Sequence, residues 1–225
     1  ATTTTDTDTY ADANGLFTIN YPQGWYVEAN GFTERFGMPF PNVLIGTSKE
    51  VMDLSSTEQL LPEGEIGLGM TFMPKAMFTE MGMAEDAPLD TIAEFAVMAF
   101  SEDGMPEMAG IKMVSLSNGT EVAQFRMDGE TESAWVMVQQ VGEGVVLFAP
   151  SVVAPGYRNE ELESHVSDIV ASLDFTGSLD DVVAFMEANM MADMTEAAQP
   201  GSATFIATEY AFDAPEQVSA GLTNV

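Results

Sequence analysis

The sequence holds one histidine, His165, and no cysteine. One imidazole can act as a general base, but no thiol is present to be activated and no Gly-x-Ser-x-Gly elbow accompanies the histidine. Val166 and Ile169 follow it at helical spacing, so an amphipathic helix gives it an ordinary structural place. Carboxylate pairs such as Glu160-Glu161 and Asp180-Asp181 could share acid and base roles. With 36 Asp and Glu in the chain, adjacent carboxylates arise from composition alone, and the pairs say little for catalysis. Asp6, Asp8, Asp12 and Asn14 offer oxygens to a cation, yet they lack the spacing and closing Glu of an EF-hand loop. Gly64-Glu65-Ile66-Gly67-Leu68-Gly69 is glycine-rich but has no P-loop lysine and fits neither nucleotide fingerprint, so it reads as turn and strand. Asn118-Gly119-Thr120 is formally a glycosylation sequon. A hairpin turn explains the same residues without modification.

Methionine is the unusual chemistry-bearing residue, at 17 positions. Met70, Met73, Met77, Met81 and Met83 form one group, Met105 and Met108 a second, and Met186, Met190, Met191 and Met194 a third. Thioethers are soft ligands suited to Cu(I). They also fill cores and adaptable contact surfaces, and several of these fall at core-facing spacing. Core or interface is the expected role, with no cofactor and no dedicated all-protein metal site. No catalytic set assembles from these residues, and the expectation is a protein that is not an enzyme.

Charge narrows the partners. The 36 acidic residues face only six cations, Arg35, Lys49, Lys75, Lys112, Arg126 and Arg158, scattered along the sequence, for a formal net charge of −30. Nucleic-acid binding relies on clustered cations that displace phosphate counterions, so DNA, RNA and anionic lipid are expected to be repelled. The acidity reads as a solvated face tuned for salt, with weak cation association as the alternative. No run of 18 apolar residues exists to span a membrane. The sequence opens on Ala1 and a Thr/Asp tract, which reads as a processed, exported protein of the cell surface or exterior.

The elements that must position these residues are legible from pattern. Residues 1–14 are polar and of low complexity, a tail that alone would be flexible and that a neighbouring subunit could order. Short strands follow at 16–20, 25–29, 42–48 and 66–73, punctuated by Pro22, Gly24, Gly31, Pro39, Pro41, Pro62 and Gly64. Pro88 and Asp90 open a helix carrying Ile92, Phe95, Ala96, Ala99 and Phe100 at helical spacing. Strands 111–117 and 121–127 flank Asn118-Gly119, a dipeptide preferred in two-residue type I′ turns. Strands 133–141 and 145–153, joined through Gly142-Glu143-Gly144, extend that hairpin into an antiparallel meander. Asn159 is placed to cap a second helix with Leu162, Val166, Ile169, Val170 and Leu173 on one face. Ser178 is placed to cap a third, 179–194. Two further strands, 203–212 and 216–220, are expected around Ala214-Pro215.

Two resemblances emerge from these residues. Phe17-Thr18-Ile19-Asn20-Tyr21-Pro22-Gln23-Gly24-Trp25 is similar to the opening strand and Tyr-Pro-x-Gly-Trp turn of PsbP-like proteins. The late meander and the closing helix ending Ile169-Val170-Ala171-Ser172-Leu173-Asp174-Phe175 also match. Residues 16–175 thus resemble the PsbP-like α/β/α sandwich, whose members serve as scaffold, accessory and binding proteins and which carries over no catalytic residues. More weakly, residues 203–222 resemble the opening strands of a cupredoxin-like domain. The copper ligands of that family lie further on and are not matched, so no copper site is implied.

The expected architecture is therefore α+β, an antiparallel sheet flanked by helices. It divides into a polar tail (1–14), a PsbP-like domain (15–176), a C-terminal helix (177–198), and a linker with a strand extension (199–225). Two strands alone are marginal in water, so the extension should dock elsewhere, with Phe205, Tyr210, Phe212, Met186, Met190 and Met194 as the candidate assembly interface. Two functional classes stay in play. One is a self-assembling extracellular structural or interaction protein, forming filaments or a surface layer with copies of itself. The other is an exported monomeric module that binds a cation, copper or a small ligand.

Overall fold

The computed structural model describes residues 6–31, 39–54, 61–99, 110–128, 133–197, 206–208 and 211–213. The strands are β1 (Thr7–Ala11), β2 (Phe17–Pro22), β3 (Tyr26–Ala29), β4 (Asn42–Gly46), β5 (Gly67–Pro74), β6 (Lys112–Ser115), β7 (Glu121–Asp128), β8 (Ser133–Gly142), β9 (Val145–Val153), β10 (Asp174–Phe175), β11 (Ile206–Thr208) and β12 (Ala211–Asp213). The helices are α1 (Lys49–Leu54), α2 (Lys75–Glu80), α3 (Leu89–Met98), α4 (Glu160–Ala171) and α5 (Leu179–Ala197).

A seven-stranded antiparallel sheet in the order β3-β4-β5-β9-β8-β7-β6 forms the middle layer. Because strand side chains alternate between faces, β8 sends Trp135 and Met137 into one core and Val136 and Val138 into the other. The second face packs on Phe78 of α2 and on Ile92, Ala93, Ala96 and Val97 of α3. The first face is covered by α4, through Leu162, Val166, Ile169 and Val170, and by a small sheet in the order β1-β2-β10. Covered on both sides, β5 is buried along its whole length. Each fully buried large apolar side chain here contributes about 1.5–3 kcal/mol. The antiparallel α+β sandwich expected from pattern is what the chain forms.

Several local features differ from the expectation. Residues 7–11 are not a tail: β1 pairs with β2 of its own chain from Thr7 opposite Pro22 to Ala11 opposite Thr18. Main-chain hydrogen bonds do not depend on apolar composition, and Tyr10 supplies a ring contact to Phe17 at 5.8 Å. Asp12, nearly buried, accepts hydrogen bonds from the Asn14 and Leu16 backbone N–H groups, which fixes the turn into β2. The Asn118-Gly119 hairpin is present, but its turn is not type I′, since that type needs positive φ at both residues. Gly119 alone of the two has it, at 87°; Gly119 N–H bonds Leu116 O and Leu116 N–H bonds Thr120 O, which makes a three-residue loop. In the last segment the strand pair is β11 with β12, Ile206 opposite Asp213, so the chain reverses within 206–213 instead of at Ala214-Pro215.

Tyr10 carries a pH consequence. Burial, reinforced by the nearby Asp12 charge, pushes its hydroxyl pKa above the usual 10.0. The folded chain then holds this proton more tightly than the unfolded one, so stability is unaffected below about pH 10 and falls as pH rises beyond it. Urea midpoints measured at pH 8 and pH 11 should drop for the wild type and drop less for Tyr10→Phe. Parallel losses in the two proteins would show that Tyr10 is not the group responsible.

Candidate functional site

The capping residues account for the acidic pairs. Asn159 Oδ1 accepts from Glu161 N–H and Leu162 N–H at 3.0 and 3.2 Å, with Glu160 and Glu161 in the first turn of α4, where negative charge favours the helix dipole. At the start of α5, Ser178 Oγ accepts from Asp181 N–H at 3.2 Å. The Asp181 carboxylate accepts in return from Ser178 Oγ and N–H at 2.6 and 2.8 Å. Those bonds lower the Asp181 pKa, the side-chain one most. His165 is half-buried with its ring edge-on to Trp25, centroids 5.9 Å apart at 78°. The glycine-rich stretch is a turn at Gly64 followed by β5, where Gly67 lies under Val51 of α1, leaving 3.3 Å for an added Cβ. Asp6 and Asp8 lie at the far end of β1 from Asp12, so the candidate cation loop does not converge. Among the described residues, no three or more His, Asp or Glu side chains gather as metal ligands.

The candidate interface residues are split by the fold. Leu179, Val182 and Met186 of α5 face inward; Val182 is fully buried and Met186 touches both cores. Val183 and Met190, seven residues apart and so on one helical face, are exposed, Met190 by 55%. Phe205 and Tyr210, and the side chains of Met194 and Phe212, lie outside the described residues. β11 and β12 form a sheet of their own. A groove of about 510 Å³ at the start of α5, between Phe175 and the β8–β9 turn, carries Glu143 and Asp180 as its charged groups.

A second cleft, of about 170 Å³, was not anticipated. It is lined by Gly110, Lys112, Gln124, Phe125, Arg126, Trp135, Arg158 and Glu163, so three of the six cations of the chain meet there against one carboxylate. The register explains the meeting: Lys112 of β6 opposes Gln124 of β7, and Arg126, two residues on, opposes Trp135 of β8. These residues share one sheet face. The loop before α4 and its first turn pass over that face and deliver Arg158 and Glu163. Arg126 is mostly buried; its Nη2 donates to Tyr157 O at 2.6 Å and its Nη1 lies 3.6 Å from Glu163 Oε1. Lys112 and Arg158 are exposed, and Arg158 Nη1 also donates to Tyr157 O, at 3.1 Å. The cations look scattered in sequence, but the hairpin register was the signal: any pairing about the 117–119 loop puts 112, 124 and 126 together. The pocket is built to face an anionic group, not a cation.

No described helix is long and apolar enough to cross a membrane. Neither a protein-family model nor a curated protein matches the sequence. Similar solved structures include cyanobacterial PsbP from Synechocystis sp. PCC 6803, 14% identical, covering 78% of this chain and 95% of that one at a TM-score of 0.44. The Ran-binding protein Mog1p of Saccharomyces cerevisiae is 10% identical and covers 76% of this chain and 96% of its own, at 0.47. A Mog1 point mutant gives 10% identity, 78% and 99% coverage, and 0.49. The chain is similar in fold to PsbP and Mog1, an α+β sandwich of the kind that its Phe17 to Trp25 and Ile169 to Phe175 motifs resemble.

Proposed function

We propose that this chain is a non-enzymatic, extracellular structural or interaction protein that assembles with copies of itself through residues 177–225. The observation that carries the reading is the small β11-β12 sheet, which pairs with no other described strand of the chain. Two short strands are marginal alone. The seven-stranded sheet meanwhile ends on β3 and β6, whose outer main-chain groups pair with no other described strand. An added strand gains main-chain hydrogen bonds from such an edge and places its side chains in neighbouring pockets. Phe205, Tyr210 and Phe212 supply apolar area, and Met190 with Val183 extends an exposed apolar face along α5. A contact of this kind is heterologous, and it propagates into a filament unless its rotation closes a ring.

Light scattering of the full chain and of a chain lacking residues 203–225 tests the reading. The full chain should form polymers, and the shortened one should be a monodisperse monomer with an unchanged circular dichroism spectrum. Polymers that persist after the deletion would sink the proposal. The second reading, a monomeric module for a cation, copper or small ligand, is favoured by the cleft only for a small anionic ligand. A full chain that stays monomeric and binds such an anion would select it.

A further inference from the structure

We infer that the cleft beside β6 is the acceptor for the acidic 203–225 segment of a second copy; the inference rests on the assembly reading and names its receiving site. The sequence sets the electrostatic problem. Copies carrying −30 each repel, and after Arg158 the chain has no Lys or Arg, while residues 203–225 include Glu209, Asp213 and Glu216. Any attraction felt by that segment must come from one of the six cations. Lys75 donates to the Glu85 carbonyl at 2.7 Å on the α2 side of the molecule. Lys112, Arg126 and Arg158 instead converge on one cleft, and Lys112 belongs to the edge strand itself.

The alternation of that strand matches the segment. Lys112 and Val114 share the cleft face of β6, while Met113 lies on the other face and is 49% exposed. In β12, Phe212 and Asp213 are adjacent and so occupy opposite faces of a strand. A strand laid along β6 in the register that sets Asp213 beside Lys112 and Arg158 sets Phe212 beside Met113. A one-residue slip would put the carboxylate against methionine and the ring against the cations, so the charges select the register. Main-chain bonds and the Phe212–Met113 contact hold the strand; the cleft decides which strand and in which alignment.

Charge reversal tests this at one fixed ionic strength, because salt also screens the repulsion between copies. Lys112 and Arg158 are exposed, so Lys112→Glu/Arg158→Glu should melt like the wild type. The concentration at which it begins to assemble should rise by about tenfold or more. Asp213→Lys/Glu216→Lys should show the same loss, and a mixture of the two variants should co-assemble. If the cleft variant assembles like the wild type while deletion of 203–225 abolishes assembly, the acceptor is elsewhere and only this inference falls. Failure of the two folded variants to co-assemble also overturns it. Assembly that survives the deletion overturns the assembly reading itself.

Discussion

Replacing Phe72 by Ala is expected to lower the unfolding free energy by about 3–5 kcal/mol, the usual cost of emptying a buried phenylalanine site. Phe72 lies on β5, fully buried, with its ring 4.5 Å from that of Phe17 and 5.2 Å from that of Phe175. Phe17 belongs to β2 and Phe175 to β10. The three rings therefore join the small sheet to the large one, and Tyr10 continues the contact to β1. Removing the middle ring leaves a void between two sheets that cannot close without moving both. Against a total stability of about 5–15 kcal/mol, the loss is a large fraction. In a chain of this length it corresponds to a melting temperature lower by roughly 6–20 °C. Phe72→Leu keeps most of the volume and should cost less than half as much. Chemical denaturation of both variants checks the claim; a loss below about 1 kcal/mol for Phe72→Ala would mean that the rings do not couple the sheets.

Where residue pattern and tertiary contact agree, the fold was readable. The α4 face Leu162, Val166, Ile169 and Val170 has the helical period, and Asn159 and Ser178 carry the capping oxygens that the structure uses. The inner strands are recognisable because β-branched and aromatic residues cluster between glycines and prolines. Helices α1 and α2 were missed because six residues are too few to establish a period of 3.6. Their places are set by packing: α1 rests over Gly46 and Gly67, two positions without a side chain. β1 was missed because a strand held by main-chain bonds at a sheet edge needs no apolar alternation, and Thr7 to Ala11 offers only Tyr10. The turn at Ser117-Asn118-Gly119 was placed correctly but mistyped. Whether Asn118 joins Gly119 at positive φ depends on loop length, and its side chain is drawn to the Ala171 carbonyl at 2.7 Å across the end of α4. The cleft required the register of that hairpin and the arrival of Arg158 from a different part of the chain, which no single segment displays.

Arg126 should separate what the cleft does for folding from what it does for binding. Unlike Lys112 and Arg158, it is largely buried, with 16% of its side chain exposed. Its guanidinium ties β7 to the loop before α4 through the Tyr157 carbonyl, and to α4 itself through Glu163. Arg126→Met keeps the apolar stem but leaves the Tyr157 carbonyl without that charged donor. The expected cost is about 1.5–3 kcal/mol, the range for hydrogen bonds to charged groups. The Glu163 pair adds little, since that carboxylate is 38% exposed and can turn to water. Arg126→Lys should recover only part of the loss, because an ammonium is a point charge that cannot reproduce the planar fork. Urea unfolding of Arg126→Met, Arg126→Lys and Lys112→Glu/Arg158→Glu puts the three on one scale. The first should fall furthest, the second partly, and the third by no more than about 0.5 kcal/mol, as for surface substitutions. An Arg126→Met protein as stable as the wild type would show that the guanidinium holds nothing together. Its conserved-looking burial would then have to be explained by the anionic partner it faces, and the variant should lose assembly without losing stability.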